Sequence, residues 1–123
     1  VTLRIDLAWL LLIAEQHTPG DPQITDWGAL VAAVSRHEAE TLGVPVYTDP
    51  QDRAAALLQL LLRVPALERS NAMFASAVAY GYLVVGGLKV TTSPERVRDL
   101  ARLVKDDTTD LPAIADELRS WTV

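Results

Sequence analysis

Few side chains in this 123-residue sequence are equipped for catalysis or metal binding, and their spacing narrows the choice further. There are no cysteines, which excludes disulfides, thiolate zinc sites and a cysteine nucleophile. His17 and His37 are the only histidines. Neither shares a metal-ligand spacing with the scattered carboxylates, so no metal site is expected. His17 closes a helix, where an imidazolium complements the helix dipole. His37, among Arg36, Glu38 and Glu40, is expected on a solvated helix face, with a displaced general base as the alternative. Glu38, Glu40, Asp49 and Asp52 read as solvent-facing charges, and Asp106-Asp107 as a loop-capping pair. One junction remains. A Leu-rich helix runs into Val64-Pro65-Ala66-Leu67-Glu68-Arg69, then Ser70-Asn71 opens a small-residue helix that stops at Gly86-Gly87. A helix start presents unpaired N–H groups and a partial positive charge, which makes such a junction a natural phosphate cradle. Arg69 is expected first in a surface ion pair. Holding an anion or an acidic partner, together with Ser70 and Asn71, is the second expectation.

Six helices must position this junction. Asp6 caps the first, which runs to about His17 and is ended by Thr18-Pro19-Gly20-Asp21-Pro22. Thr25 and Asp26 cap a second, with Leu30, Val31, Val34 and His37 or Glu38 at helical spacing, ending near Glu40. Leu42 to Tyr47 mixes β-branched and aromatic residues with Gly43 and Pro45, a short extended loop or ragged hairpin. Thr48 and Gln51 read as a capping-box pair for the third helix, to about Arg63. Its apolar side chains cover most of the circumference, so it is a central, buried helix. The fourth runs to about Val85, and Ala72, Ala75, Ala77 and Ala79 give it a small side for close approach to the Leu-rich helix. Leu88 to Thr91 is extended. Ser93-Pro94-Glu95 opens a fifth helix, and Leu111 to about Ser120 forms the sixth. The fold class is therefore all-α, a compact single domain over residues 1–123.

Half the residues are apolar, enough for a mostly aliphatic core. A formal net charge of −5, with eleven basic and sixteen acidic residues, supplies no patch for displacing the counterions of nucleic acid. The longest nearly uncharged stretch, Ala72 to Leu88, is too short and interrupted for a membrane span. Arg4 and Asp6 interrupt the apolar opening, so a secretion signal is not expected, and the chain is read as cytoplasmic.

The order and spacing of these segments resemble the Fic/Doc family, and its small Doc-type (death-on-curing) branch in particular. The resemblance covers most of the chain: DLAWLLLIAEQH, ALVAAVSR, LGVPVYTD, AAALLQLLL, ALERSN before an Ala-rich helix, and LPAIADELRSW. It implies a six-helix Fic/Doc-like bundle with a short flap-like loop. In that family the junction reads approximately His-x-Phe/Leu-x-Asp/Glu-Gly-Asn-Gly/Lys-Arg. The His deprotonates a hydroxyl on a target protein, the acid holds a nucleotide-bound metal, and the final Lys or Arg neutralises transferring phosphate. Here Pro65 stands in the place of the His, Arg69 of the acid, Ser70 of the glycine, Ala72 of the Gly/Lys and Met73 of the Arg. Leu67 keeps the apolar anchor, and Asn71 remains.

Proline carries no proton acceptor, and arginine repels the Mg²⁺ that an acid would hold. The resemblance thus implies a catalytically degenerate member with no catalytic residue, no metal and no cofactor, working by binding another protein such as an antitoxin-like peptide or helix. Leu42, Gly43, Val44, Val46 and Tyr47 occupy the place of the family's peptide-binding flap. A simple connector is the first expectation there, because Pro45 would interrupt strand pairing, and a protein-binding edge is the second. The alternative function is an active transferase with altered residues, using ATP or another nucleotide and holding phosphate at Arg69, Ser70 and Asn71.

Overall fold

The computed structural model describes residues 2–122. Among them six helices account for 61% of the chain: α1 (Leu7–His17), α2 (Trp27–His37), α3 (Pro50–Arg63), α4 (Asn71–Val85), α5 (Pro94–Lys105) and α6 (Leu111–Trp121). The expected all-α, six-helix architecture is therefore the one observed. No helix among the described residues is long and apolar enough to cross a membrane.

Most of the starts are set by local side chains. Asp6, Asp26, Ser93 and Asp110 each accept a hydrogen bond from a backbone N–H in the first turn of the helix they precede. Pro50, Pro94 and Pro112 stand in first turns, where a missing N–H costs nothing. The cap of α3 lies one residue on from the expected Thr48–Gln51 pair. Asp49 is its N-cap, and Asp52 reaches back to accept from the Asp49 N–H at 3.4 Å. Gln51 instead donates to Thr122 Oγ1 at 3.1 Å, tying the start of α3 to the end of α6.

Helix α3 is the axis. Every residue from Arg53 to Leu62 except Leu60 is buried, and α2, α4, α5 and α6 all pack on it. Ala54, Leu57 and Leu61 are fully enclosed. Burying each such leucine contributes about 1.5–3 kcal/mol, so this one helix carries a large share of the stability. Its closest companion is α4, whose Ala75 and Ala79 let the two backbones approach while Phe74, Val78 and Leu83 fill the space around them. Ala72, by contrast, faces outward.

The stripe of α2 differs from the expected one. Ala29, Leu30, Ala33 and His37 are buried, whereas Val31 is 53% exposed. The reason is that Leu30, Ala33 and His37 follow a three- then four-residue spacing and share a face, with His37 at its inner end. His37 is thus a core residue, 1% exposed, not the solvated one expected from its charged neighbours.

Between α2 and α3 the chain forms an antiparallel hairpin, β1 (Glu40–Thr41) and β2 (Val44–Pro45), with Glu40 opposite Pro45 and Thr41 opposite Val44. Leu42 and Gly43 form its two-residue turn with φ of 53° and 78°, the left-handed geometry that matches strand twist. Tyr47 anchors the hairpin. Arg36 Nε donates to its hydroxyl at 3.1 Å, and Arg53 Nη1 donates to the carbonyls of Tyr47 and Thr48 at 3.0 and 2.8 Å.

Candidate functional site

The junction between α3 and α4 is held by backbone hydrogen bonds and by side chains, Asn71 foremost. Asn71, the first residue of α4, turns back over the loop. Its Oδ1 accepts from the N–H groups of Ala66 and Leu67 at 3.1 and 3.0 Å, and its Nδ2 donates to Leu67 O at 2.9 Å. Ser70 is the N-cap, in left-handed geometry with φ of 64°, but its hydroxyl makes no capping bond.

A second brace comes from the α1–α2 connector. Ile24 and Leu67 form an isolated antiparallel bridge. The N–H groups of Thr25 and Asp26 both donate to Ala66 O, at 2.8 and 3.1 Å, and the Glu68 N–H donates to Gln23 O at 2.9 Å. Leu67 is buried as the apolar anchor. Nothing in the periodicity of residues 20–26 signals this bridge, because it is made by backbone groups.

The remaining side chains of the junction point elsewhere. Pro65, Arg69, Ala72 and Met73 are exposed. Arg69 forms an ion pair with Glu68, as first expected, and its Nη2 donates to Gly20 O at 2.9 Å. Gly20 suits this contact. A Cβ there would lie 2.7 Å from Arg69 Nη2, and its φ of +76° already favours glycine. The guanidinium is thereby drawn across the connector toward Gly20.

His37 offers no displaced base. The Ile5 N–H donates to its Nε2 at 3.1 Å, and the other ring nitrogen bonds to Val34 O, so both positions are engaged. Its ring meets Tyr82 edge-on at 5.9 Å. Burial lowers the His37 pKa below its ordinary value of 6.5, aided by Arg53 and opposed by the Val34 and Ala33 carbonyls and by Glu38. Neutral imidazole is the form that accepts from Ile5. His17 is exposed at the end of α1, its expected place. Among the described residues no three His, Asp or Glu side chains group so as to hold a metal.

Beside the junction lies a groove of about 820 Å³ between α4 and α5. One wall is Ser70, Ala72, Met73, Ser76 and Tyr80 of the junction and α4. The other is Val97, Arg98, Ala101, Arg102 and Lys105 of α5, and Thr92, Ser93 and Pro94 close one end. The junction residues Ser70, Ala72 and Met73 therefore share a cavity with three cations from a helix that the motif does not include. The signal for those cations was present in the spacing of Arg98, Arg102 and Lys105, which repeats at four and three residues.

No family model matches the chain. A curated protein does: Toxin Doc of Mycolicibacterium smegmatis is 39% identical over 104 residues, covering 83% of this chain and 80% of that protein. The chain belongs to the Doc family. Its six-helix fold fits that membership. In this Doc-family chain Asn71 and Leu67 of the α3–α4 junction have structural roles. Its remaining side chains supply one exposed proline, one ion-paired arginine, and Ala72 and Met73 on the groove wall.

The segment expected as a flap-like loop forms the β1–β2 hairpin. Leu42 is fully exposed, Val44 and Val46 are half-exposed or more, and Tyr47 is the partly buried anchor. Gly43 has nothing within 4 Å of where a Cβ would stand, so its side of the turn is open. The Val46 N–H donates to Ala39 O at 2.9 Å, so pairing continues past Pro45.

Proposed function

We propose that this Doc-family protein is catalytically degenerate and acts by binding another protein, in a toxin–antitoxin setting, as a decoy, a regulator or a subunit of a complex. Its relative is named a toxin, which supports that setting. One observation carries the reading. The position of the general base holds exposed Pro65, while the arginine in the acid's place is turned onto Glu68 and Gly20. A pyrrolidine ring cannot accept a proton from an alcohol, and a hydroxyl without such help is a poor nucleophile at neutral pH. The exposed hairpin residues Leu42, Val44 and Val46 are available for a peptide to pair alongside.

The test is transfer from labelled ATP. Purified protein is incubated with cell extract and ATP labelled at either the α- or the γ-phosphate, with Asn71→Ala and Arg69→Ala as controls. No protein should become labelled beyond what the extract alone labels. Robust labelling that either substitution abolishes would overturn the reading.

A second reading has one observation in its favour: Arg98, Arg102 and Lys105 of α5 line the same groove as Ser70, Ala72 and Met73. They would supply charge to a nucleotide or phosphate-bearing substrate in place of the missing motif arginine, as an active transferase requires. Calorimetry with ATP separates the two. The degenerate reading expects no binding tighter than roughly millimolar.

A further inference from the structure

We propose that residues 2–5 form an acid-released strap: the neutral ring of His37 holds them against the bundle, and a proton on its Nε2 lets them go. The device goes beyond the protein-binding reading and does not depend on it.

The strap is tied down by side chains alone. Residues 2–5 precede α1 without regular structure, and among the described residues they make no backbone–backbone hydrogen bond. Their two backbone ties go to other helices. The Ile5 N–H donates to His37 Nε2 on α2 at 3.1 Å, and Leu3 O accepts from the Tyr82 hydroxyl on α4 at 2.6 Å. Side chains alternate along the strap as in any extended segment. Ile5 is buried and Leu3 packs partly buried on the core, while Arg4 faces out and pairs with Glu40 at 2.6 Å. Both partners of that pair are largely in solvent, so it holds little energy. Asp6, the cap of α1, is the fixed point behind the strap.

The His37 tie is the one that can be switched. Val34 O can only accept, so Nδ1 carries the proton of the neutral ring and Nε2 is left to accept from Ile5. A second proton can go only to Nε2, where it sets one N–H against another. The groups around the ring do little to welcome the charge. Arg53 on α3 opposes it, and Tyr82 on α4 meets the ring edge-on with its hydroxyl already given to Leu3. Glu38 favours it from an exposed position, and Arg4 and Glu40 are paired with each other. Burial outweighs these and lowers the pKa below 6.5. Lifting the strap admits water to the ring and returns it toward that ordinary value, so protonation and release favour each other. The strap is therefore fully held above pH 6.5 and loosens as pH falls from there toward the lowered value. The rest of the molecule need not follow. Arg53 still holds Tyr82 and the carbonyls of Tyr47 and Thr48, and the packing of α2, α4, α5 and α6 on α3 uses no strap residue. Release uncovers the apolar seats of Leu3 and Ile5 beside the hairpin.

The experiment is spin labelling. The chain has no cysteine, so Arg4→Cys gives a single attachment point for a nitroxide at an exposed place in the strap. Spectra recorded from pH 8 to pH 5 should show a slow component giving way reversibly to a fast one, the fast fraction rising at least threefold, while far-UV circular dichroism stays constant. A label at Lys105→Cys on α5 should show no such change. Arg4→Cys/His37→Gln should give one spectrum at every pH. Arg4→Cys/Tyr82→Phe, which lacks the Leu3 tie, should release at higher pH, and this shift decides the matter if the His37 variant does not fold. The proposal is overturned by a fast fraction that ignores pH, by the same transition in His37→Gln, by no shift or a downward shift in Tyr82→Phe, or by a transition that coincides with loss of helix signal.

Discussion

Asn71 and Leu67 grip each other twice: the Leu67 N–H donates to Asn71 Oδ1 at 3.0 Å, and Asn71 Nδ2 returns a bond to Leu67 O at 2.9 Å. The same Oδ1 also accepts from Ala66. Ala66 and Leu67 are both buried, so water cannot replace these partners. Asn71→Ala is expected to cost roughly 2–4 kcal/mol, because it strands buried N–H groups instead of merely removing a bond. Asn71→Asp sets a carboxylate oxygen against Leu67 O in place of the donor, but it keeps the acceptor for both N–H groups and its charge suits a helix start, so it should cost less. Urea denaturation of the two variants checks the order.

Arg53 is buried without a carboxylate. Its Nε donates to Tyr82 Oη at 2.7 Å, and that hydroxyl donates in turn to Leu3 O at 2.6 Å. Tyr82→Phe leaves a buried N–H and a carbonyl unmatched and should destabilise by about 1–3 kcal/mol. Arg53→Met removes the donor as well, so the double variant should be more stable than the sum of the two single losses predicts. A double-mutant cycle by thermal or urea unfolding measures that coupling, and strict additivity would refute it.

Stability should fall in mild acid through His37. Its folded pKa lies below 6.5, so the unfolded chain binds the proton more readily. The contribution is fully present above the unfolded value and is lost as pH drops from there toward the folded one. Urea midpoints recorded through this window should decline. In His37→Gln the part of the slope due to this residue should vanish, at a fixed cost from disturbing the bond to Ile5.

Arg119 bridges Asp49, Asp52 and Asp116 at 3.2, 2.8 and 2.9 Å, joining the start of α3 to α6. The cluster is partly exposed, with the arginine side chain 38% in solvent. Arg119→Ala should therefore cost about 0.5–1 kcal/mol in dilute buffer, and less in strong salt. Equal losses at both ionic strengths would show that packing, not charge, carries the effect.

Much of the architecture was legible because local chemistry and global packing agree. Proline and glycine runs mark the stops, aspartate and serine mark most starts, and the apolar run of Ala54 to Leu62, broken only by Gln59, names the axis. His37 was misread because its sequence neighbours are charged, whereas burial follows its spacing from Leu30 and Ala33. The capping box shifted by one residue because Asp49 and Asp52 offer carboxylates in the same frame. The Ile24–Leu67 bridge could not be read at all, since backbone groups brought together from distant residues leave no mark on composition. At the junction the identities were readable and the directions were not. That Arg69 reaches to Gly20, and that Arg98, Arg102 and Lys105 of α5 line the same groove as Ser70, are facts of three-dimensional placement.

The bracing of residues 66–68 by Asn71 and by residues 23–26 has an evolutionary corollary. None of those bonds uses the side chain at 65, 69, 72 or 73. The path of this loop is therefore set apart from the side chains at those four positions, each of which can change while the bracing stays put. Such a loop lets a lineage drift away from one trade and toward another without ever passing through an unfolded ancestor.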